Sequence, residues 1–463
     1  MDLHAARKLF GTDGVRGIVN ETFDPFFAVR LAWAIASNFP PGSRVLVCCD
    51  ARPGNPAIYG AVLSALAAGG AKVYDGGYAP TPALQLAVRD LGFDYGVMVT
   101  ASHNPPQWVG LKLIMSDGIE APVEVELEVE RRFFSNDFRR VGWSEIRSIE
   151  RFPHVVEHYV KEVKKRVDAE KIRRKGLKAV VDCANSVTAL TTPRILRELG
   201  VKTLSINADL GYPHRPYEPT PENIEELMKV VKSVGADFGV AHDGDGDRAI
   251  LVDPRGNFVP GDVSATLLIP FVAEKHPELP KRIVTAVSTS HFLMEKNVVS
   301  KGIEVVWTRV GFINIARKIV ELGGALAGFE DNGGFGYVPH QPVRDGGMKA
   351  ALVAEMLATY NKSLSELLDS IWRPIIIRTK VPLPDRSKVP TVIEELRKRF
   401  GAGAKVIDID GIKIIASEWA FLVRPSGTEP IMRIMVEALS EEIAKKMLEE
   451  VKQVVIEVLG VRA

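Results

Sequence analysis

The sequence predicts an α/β protein: three similar domains with mixed or parallel sheets, followed by a smaller α+β C-terminal domain, arranged around a central cleft. Three observations carry this. Apolar strand-like runs recur after a basic residue, as "RVLVCCD" from Arg44, "KAVVDCA" from Lys178 and "RIVTAVS" from Arg282. Each is followed by a helix-like stretch and a second strand after glycine, "GAKVYDGG" from Gly70, "GVKTLSIN" from Gly200 and "GIEVVWTR" from Gly302. From about Trp372 the pattern changes to short strands around one helix, with a last amphipathic helix from Glu441. Strand, helix, strand three times over argues for sheets covered on both faces.

Within each repeat a further helix is expected at "TPALQLAVRDLG" from Thr81, "TPENIEELMKVVKSVG" from Thr220 and "TRVGFINIARKIVELGG" from Thr308. Thr as N-cap, Pro at the first helical position in two of the three, helical apolar spacing and a closing Gly are the signals. Each helix feeds a short apolar strand ending in a polar loop: "TASHNPP", "HDGDGDR" and "GFEDNGGFG". Ligands of parallel sheets bind beyond the carboxyl ends of the strands, so equivalent loops should converge. The implied domains are 1–150, 151–254, 255–370 and 371–463.

The 463 residues exceed what one core organises, and 46% hydrophobic content suffices for several. Lys plus Arg number 59 against 58 Asp plus Glu, so no bulk field points to nucleic acid or to an anionic membrane. The three cysteines, Cys48, Cys49 and Cys183, make no disulfide framework and suit a reducing compartment. No apolar h-region opens the chain and no run is long enough to span a bilayer, so a cytoplasmic protein is expected. Neither nucleic acid nor membrane is expected as a partner, and a homo-oligomer is compatible with the sequence.

In "HDGDGDR", Asp243, Asp245 and Asp247 alternate with glycines, so an extended segment would point three carboxylates one way. Such charges repel unless a cation lies among them. An EF-hand fails, because Arg248 falls at its glycine position and Pro254 at its bidentate glutamate. Few ligands, all carboxylate, suit Mg²⁺.

Ser102 is followed by His103, but neighbours in an extended segment face opposite ways, which denies His103 the role of its base. No G-x-S-x-G elbow is present. Ser102 could instead carry a phosphoryl group beside the metal, in a loop stiffened by Pro105 and Pro106. "RPSGTEP" offers Arg424, Ser426, Thr428 and the backbone of Gly427 to a phosphate, with Arg433 as a second cation; it could equally be an ordinary turn. Glu330 and Asn332 pair a carboxylate with an amide, suited to sugar hydroxyls, although a capped turn would look the same.

Together these stretches resemble the α-D-phosphohexomutases, the family of phosphoglucomutase/phosphomannomutase and phosphoglucosamine mutase, and in particular archaeal-type members. "TASHNP" is similar to that family's phosphoserine loop, "DGDGDR" to its metal loop, "GFEDNGG" to its sugar loop and "RPSGTEP" to its phosphate loop. "FGTDGVRG" from Phe10 resembles its N-terminal signature, with Arg16 at the active-site arginine. The resemblance covers the whole chain. It implies interconversion of hexose 1-phosphate and hexose 6-phosphate through phosphorylated Ser102 and a bisphosphorylated sugar. Ser102, Asp243, Asp245 and Asp247 would hold Mg²⁺, and hexose 1,6-bisphosphate would be activator and intermediate. Arg16 and Lys112 would stabilise charge or serve as acid and base, Lys112 only with a lowered pKa. Arg248 would support the serine and metal loops, with His103 and Asn104 as supporting loop residues.

Departures stand beside the match. Val109-Gly110-Leu111-Lys112 replaces a common Asn-Gly-x-Lys, Gly334 stands where many relatives have histidine, Asn332 stands where they have serine, and Ser186 replaces a glycine away from the four loops. Glucosamine phosphate is the expected substrate, with glucose or mannose phosphate as the alternative. A metal-dependent sugar phosphatase and a non-catalytic sugar-phosphate binder are the competing readings.

Overall fold

The computed structural model describes residues 7–427 and 429–461. Two compact units divide the chain, 1–264 with 332–368, and 265–331 with 369–463.

The first unit opens with β1 (Val15–Ile18), β2 (Arg44–Cys49), β3 (Lys72–Tyr78), β4 (Tyr95–Val99), β5 (Trp108–Met115) and β6 (Glu150–Arg151), in the sheet order β1-β5-β4-β2-β3-β6. β2 is parallel to both β3 and β4, with Val45 opposite Val73 and Tyr95. β5 then returns antiparallel to β4 and pairs with β1. Buried β-branched and aliphatic residues on β2 and β4, such as Val47, Val97 and Val99, meet Leu31 and Ile35 of helix Pro25–Ala36 and Ile58 of helix Asn55–Ala68. Leu46 and Met98, on the opposite face, are buried as well, and at about 25 cal/mol per Å² of apolar surface this burial on both faces is what holds the sheet.

The second sheet repeats the plan with β7 (Lys178–Asp182), β8 (Lys202–Ile206), β9 (Phe238–His242), β10 (Ala249–Val252) and β11 (Phe258–Val259), in the order β11-β10-β9-β7-β8. β7 is parallel to β8 and β9, and β10 returns antiparallel to β9. Leu227 and Val231 of helix Glu225–Val234 cover Val180, Ala241 and Val252.

In the second unit β12 (Arg282–Ala286) is parallel to β13 (Glu304–Thr308) and to β14 (Ala327–Phe329), a third copy of the arrangement. The C-terminal sheet of this unit is antiparallel, strands Ile375–Pro382, Ile431–Ala438, Trp419–Pro425, Ile412–Ile415 and Lys405–Ile407 lying side by side in that order. Helices Val389–Phe400 and Glu441–Leu459 cover it through residues such as Leu396, Val451 and Val455.

The three repeats expected from sequence are therefore present, with mixed sheets. The helix starts differ from expectation in all three cases. In the first, Pro80 and not Thr81 is the N-cap, and Thr81 and Pro82 are the first two helical positions of Thr81–Asp90. The second helix begins at Glu225 after a turn, and the third is capped by Gly311 because Thr308 is still paired in β13. No helix among the described residues is long and apolar enough to cross a membrane.

Candidate active site

β4 and β9 end at the same level of their repeats, and the loops that leave them meet within the first unit. Ser102 lies in a turn, at φ +49°, not in extended chain. Its Oγ donates to Asp243 Oδ2 at 2.8 Å. His103 turns away to Arg248, whose Nη2 lies 3.0 Å from His103 Nδ1. That cation and then burial hold the His103 pKa well below its usual value, so the ring is neutral. The expectation that His103 is not the base of Ser102 therefore rests on a bent loop, not on strand alternation.

The aspartate loop after β9 is also bent, and Gly246 supplies the positive φ of +74° that bends it. Asp243, Asp245 and Asp247 are buried and offer oxygens all within 4.8 Å of one another. Burial, then Asp247 and Asp245, push the Asp243 pKa well above the usual carboxylate range. Oδ1 of Asp245 and Oδ1 of Asp247 are buried without a hydrogen-bond partner. Orphaned acceptors on converging carboxylates are the donor set a divalent cation needs, so these residues fit a metal.

Lys112, on β5, places Nζ 2.9 Å from Asp245, 3.0 Å from Asp247 and 3.1 Å from Asp13. Against the desolvation of burial, Asp13, Asp245 and Asp247 raise its pKa above the usual value. The lowered pKa that proton transfer by Lys112 requires is absent in this state; Lys112 is an ammonium ion locked among carboxylates. Arg16 donates to Asn104 Oδ1 at 2.7 Å and to Asp13 at 2.8 Å, and its Nη1 lies 3.3 Å from the Ala101 carbonyl oxygen. Arg248 donates its backbone N–H to Asp243 at 3.2 Å and places a guanidinium nitrogen 3.5 Å from Glu218.

Several residues here escaped the sequence reading. Asp13 gathers Lys112, Arg16 and Arg344, and Arg344 also pairs with Asp247 at 2.8 Å. Asp13 lies in "FGTDGVRG" and could have been named with Arg16; Arg344 carries no local signal. Thr81 donates its hydroxyl to Asp245 at 2.6 Å and its N–H to the Asp245 carbonyl at 2.9 Å. Ser186 is not remote from the loops as expected: its Oγ donates to the carbonyl of Gly244 and accepts from the N–H of Ala51. Among the departures, Val109 is core packing opposite Gly17, and a Cβ at Gly334 would lie 2.6 Å from Arg344 Cδ. Asn332 Oδ1 accepts the N–H of Gly334 at 3.0 Å.

In the second unit Glu330 is buried after β14 and accepts the N–H of Gly311 at 3.0 Å. Arg424 and Arg433 stand directly opposite each other on adjacent strands. Like charges so placed repel. Burial, opposed by Asp410 at 3.5 Å, lowers the Arg424 pKa, while Arg433 is half exposed and pairs with Glu429 at 2.8 Å. Ser426 accepts the N–H of Glu429 at 3.3 Å, and its own N–H donates to Ile431, closing a turn in which Gly427 is exposed. Thr428 lies outside the described residues.

Family models for phosphoglucomutase/phosphomannomutase match four consecutive stretches: α/β/α domain I at residues 7–140, domain II at 157–256, domain III at 260–375 and the C-terminal domain at 379–454. The chain belongs to this family. It is an enzyme, a phosphohexomutase. A phosphoglucosamine/phosphogalactosamine mutase of Sulfurisphaera tokodaii is 45% identical over 97% of this chain and 99% of its own length. A phosphoglucomutase/phosphomannomutase of Thermococcus kodakarensis is 40% identical over 96% of this chain and 97% of its own. A crystal structure of a family member from Burkholderia thailandensis superimposes with a TM-score of 0.85 at 25% identity, covering 97% of each chain.

Proposed function

We propose that this phosphohexomutase interconverts the 1- and 6-phosphates of a hexose through a phosphoserine at Ser102, with glucosamine phosphate as its main substrate. The observation that carries the reading is the contact of the Ser102 hydroxyl with Asp243, beside Asp245 and Asp247 with their unpartnered oxygens. The similarity to a relative named phosphoglucosamine/phosphogalactosamine mutase supports the amino sugar, and the relative named phosphoglucomutase/phosphomannomutase supports glucose and mannose phosphates as the second reading.

Asp243, Asp245, Asp247 and Ser102 would hold Mg²⁺, which when bound supplies positive charge to the phosphoryl group at the serine. The chain's own groups do the rest. Arg16, held by Asn104 and Asp13, faces the serine loop as a fixed cation for the charge that spreads over the phosphoryl oxygens in transfer. Lys112 neutralises the carboxylates and keeps them converged, so its part is electrostatic. Arg248 joins the two loops through His103 and Asp243. Glu330 and Asn332 would meet sugar hydroxyls, while Arg424, Ser426, Gly427, Thr428 and Arg433 would hold the phosphate that does not react. An anion would relieve the repulsion of Arg424 and Arg433. Hexose 1,6-bisphosphate would load Ser102 and form again in each cycle. The three cysteines are free and buried, which fits a cytoplasmic setting.

One assay tests the proposal: purified protein, Mg²⁺, glucosamine 1-phosphate and a trace of the 1,6-bisphosphate. Glucosamine 6-phosphate is the expected product. Release of inorganic phosphate would instead make the protein a phosphatase, and no turnover of any hexose phosphate would make it a binder. Comparing kcat/KM for glucosamine, glucose and mannose 1-phosphates ranks the sugars.

A further inference from the structure

We infer that Arg52, with Asp50 and Thr100, is the positioning apparatus of Ser102, clamping the serine loop by its backbone from behind. Arg52 is 1% exposed, on the turn that follows β2. Its Nη2 donates to the carbonyl of Ser102, and its Nη1 lies 2.9 Å from the carbonyl oxygens of Asn104 and Pro105 and 3.3 Å from that of Trp108. One guanidinium thus gathers four carbonyls of the loop. Nε is held 3.1 Å from Asp50, and the guanidinium lies 4.3 Å over the ring of Tyr217.

The other side of Ser102 is held from the same root. Asp50, fully buried, accepts the Thr100 hydroxyl at 2.5 Å, and Thr100 Oγ1 accepts the N–H of Ser102 at 2.8 Å. Both the N–H and the C=O of Ser102 therefore trace back to Asp50. This accounts for a serine at φ +49°, a conformation disfavoured for a residue with a Cβ and kept only when its surroundings fix it. It leaves the hydroxyl directed to Asp243. A lysine could keep the charge at 52 but not spread donors in a plane to four acceptors.

The inference rests on Ser102 being the phosphoryl carrier, and the test separates the two. Rapid-quench measurement follows phosphorylation of Ser102 by glucose 1,6-bisphosphate with Mg²⁺ in wild type, Arg52→Lys and Thr100→Val. In that step the Oγ–P bond forms as a sugar O–P bond breaks, and the hydroxyl proton ends on the freed sugar oxygen. In Arg52→Lys the rate should fall on the order of 100-fold, the scale of a small misplacement. Thr100→Val should lose about tenfold through its single hydrogen bond. KM for the bisphosphate and the Mg²⁺-induced rise in Tm should stay within about threefold of wild type in both. Phosphorylation within about threefold of wild type in both variants overturns the clamp, as does a parallel loss of rate, KM and Mg²⁺ response in both, which means general loosening. A wild-type protein that turns over sugar phosphate without ever forming phosphoserine at Ser102 overturns the carrier reading itself.

Discussion

The hydroxyl of Ser102 donates to Asp243 Oδ2 over 2.8 Å, joining two loops that lie 141 residues apart in the chain. The contact sets the serine beside a carboxylate triad with no intervening side chain. Ser102→Ala should reduce turnover at least about 10⁴-fold, the scale of losing a group on which the chemical step depends. Mg²⁺ should still raise its Tm. Mutase activity within tenfold of wild type, measured with bisphosphate present, would remove Ser102 from the reaction.

Lys112 sits within 3.1 Å of three carboxylates and is 1% exposed. Lys112→Met leaves that negative charge uncompensated, which costs about 3–5 kcal/mol in a buried setting. Added Mg²⁺ should recover part of the loss, so its stabilising effect should be larger in the variant than in wild type. Urea unfolding of both proteins, with and without Mg²⁺, gives the four values; equal Mg²⁺ increments would show that the lysine and the metal do not share these carboxylates.

Gly244 lets the two loops approach. A Cβ there would lie 2.6 Å from the Ser102 carbonyl oxygen and 3.2 Å from Arg52 Nη2. Gly244→Ala should therefore displace the serine loop, lowering kcat roughly 100-fold while changing KM little. A variant with unchanged kcat would mean that the loops tolerate separation.

Arg424 and Arg433 face each other across two strands, but only Arg424 is largely buried. Arg424→Met should lower kcat/KM for hexose 1-phosphate by about 10–100-fold, equivalent to about 1.5–3 kcal/mol for a charge-assisted hydrogen bond. Arg433→Met should cost less, because its exposed guanidinium already pairs with Glu429. Equal losses in the two, or none, would argue against a phosphate site led by Arg424.

Lys413, in the second unit, provides a pH dependence. Its Nζ donates to the carbonyls of Thr289 at 2.6 Å and Val287 at 3.0 Å, and burial lowers its pKa to about 8. The unfolded value is about 10.4. Between those values the unfolded chain binds more protons than the folded one, so this residue makes stability rise with pH, by about 3 kcal/mol in all. Below about pH 8 both states are protonated and its contribution is flat. Lys413→Met should abolish that rise, seen as a shallower change in unfolding free energy from pH 8 to pH 10 than in wild type. Parallel curves would show that Lys413 titrates normally.

Much of this molecule was legible before its structure. The recurrence of β2, β7 and β12 as basic-led apolar runs follows from the demand that a strand covered on both faces be apolar throughout. The alternation of aspartate and glycine from Asp243 marked three carboxylates that the fold does bring together. Helix starts were less legible. Thr220 and Thr308 carry the residue type of an N-cap, but tertiary packing assigned them to a turn and to a strand end. The state of Lys112 was not legible for a related reason: a lysine's pKa belongs to its neighbours, and Asp13, Asp245 and Asp247 become neighbours only when the chain folds.

By itself the sequence determined the three-fold repeat, the loops that follow β4, β9 and β14, and the kind of chemistry their residue types can perform. These are short-range properties, set by periodicity and by neighbouring residues in one segment. Only the tertiary structure decided that Asp243 meets Ser102, that Arg344 bridges Asp13 and Asp247, and that Arg52 holds the serine loop by its carbonyls. Such pairings join residues dozens to hundreds of positions apart. Their geometry comes from how sheets and helices pack, and no local pattern encodes it.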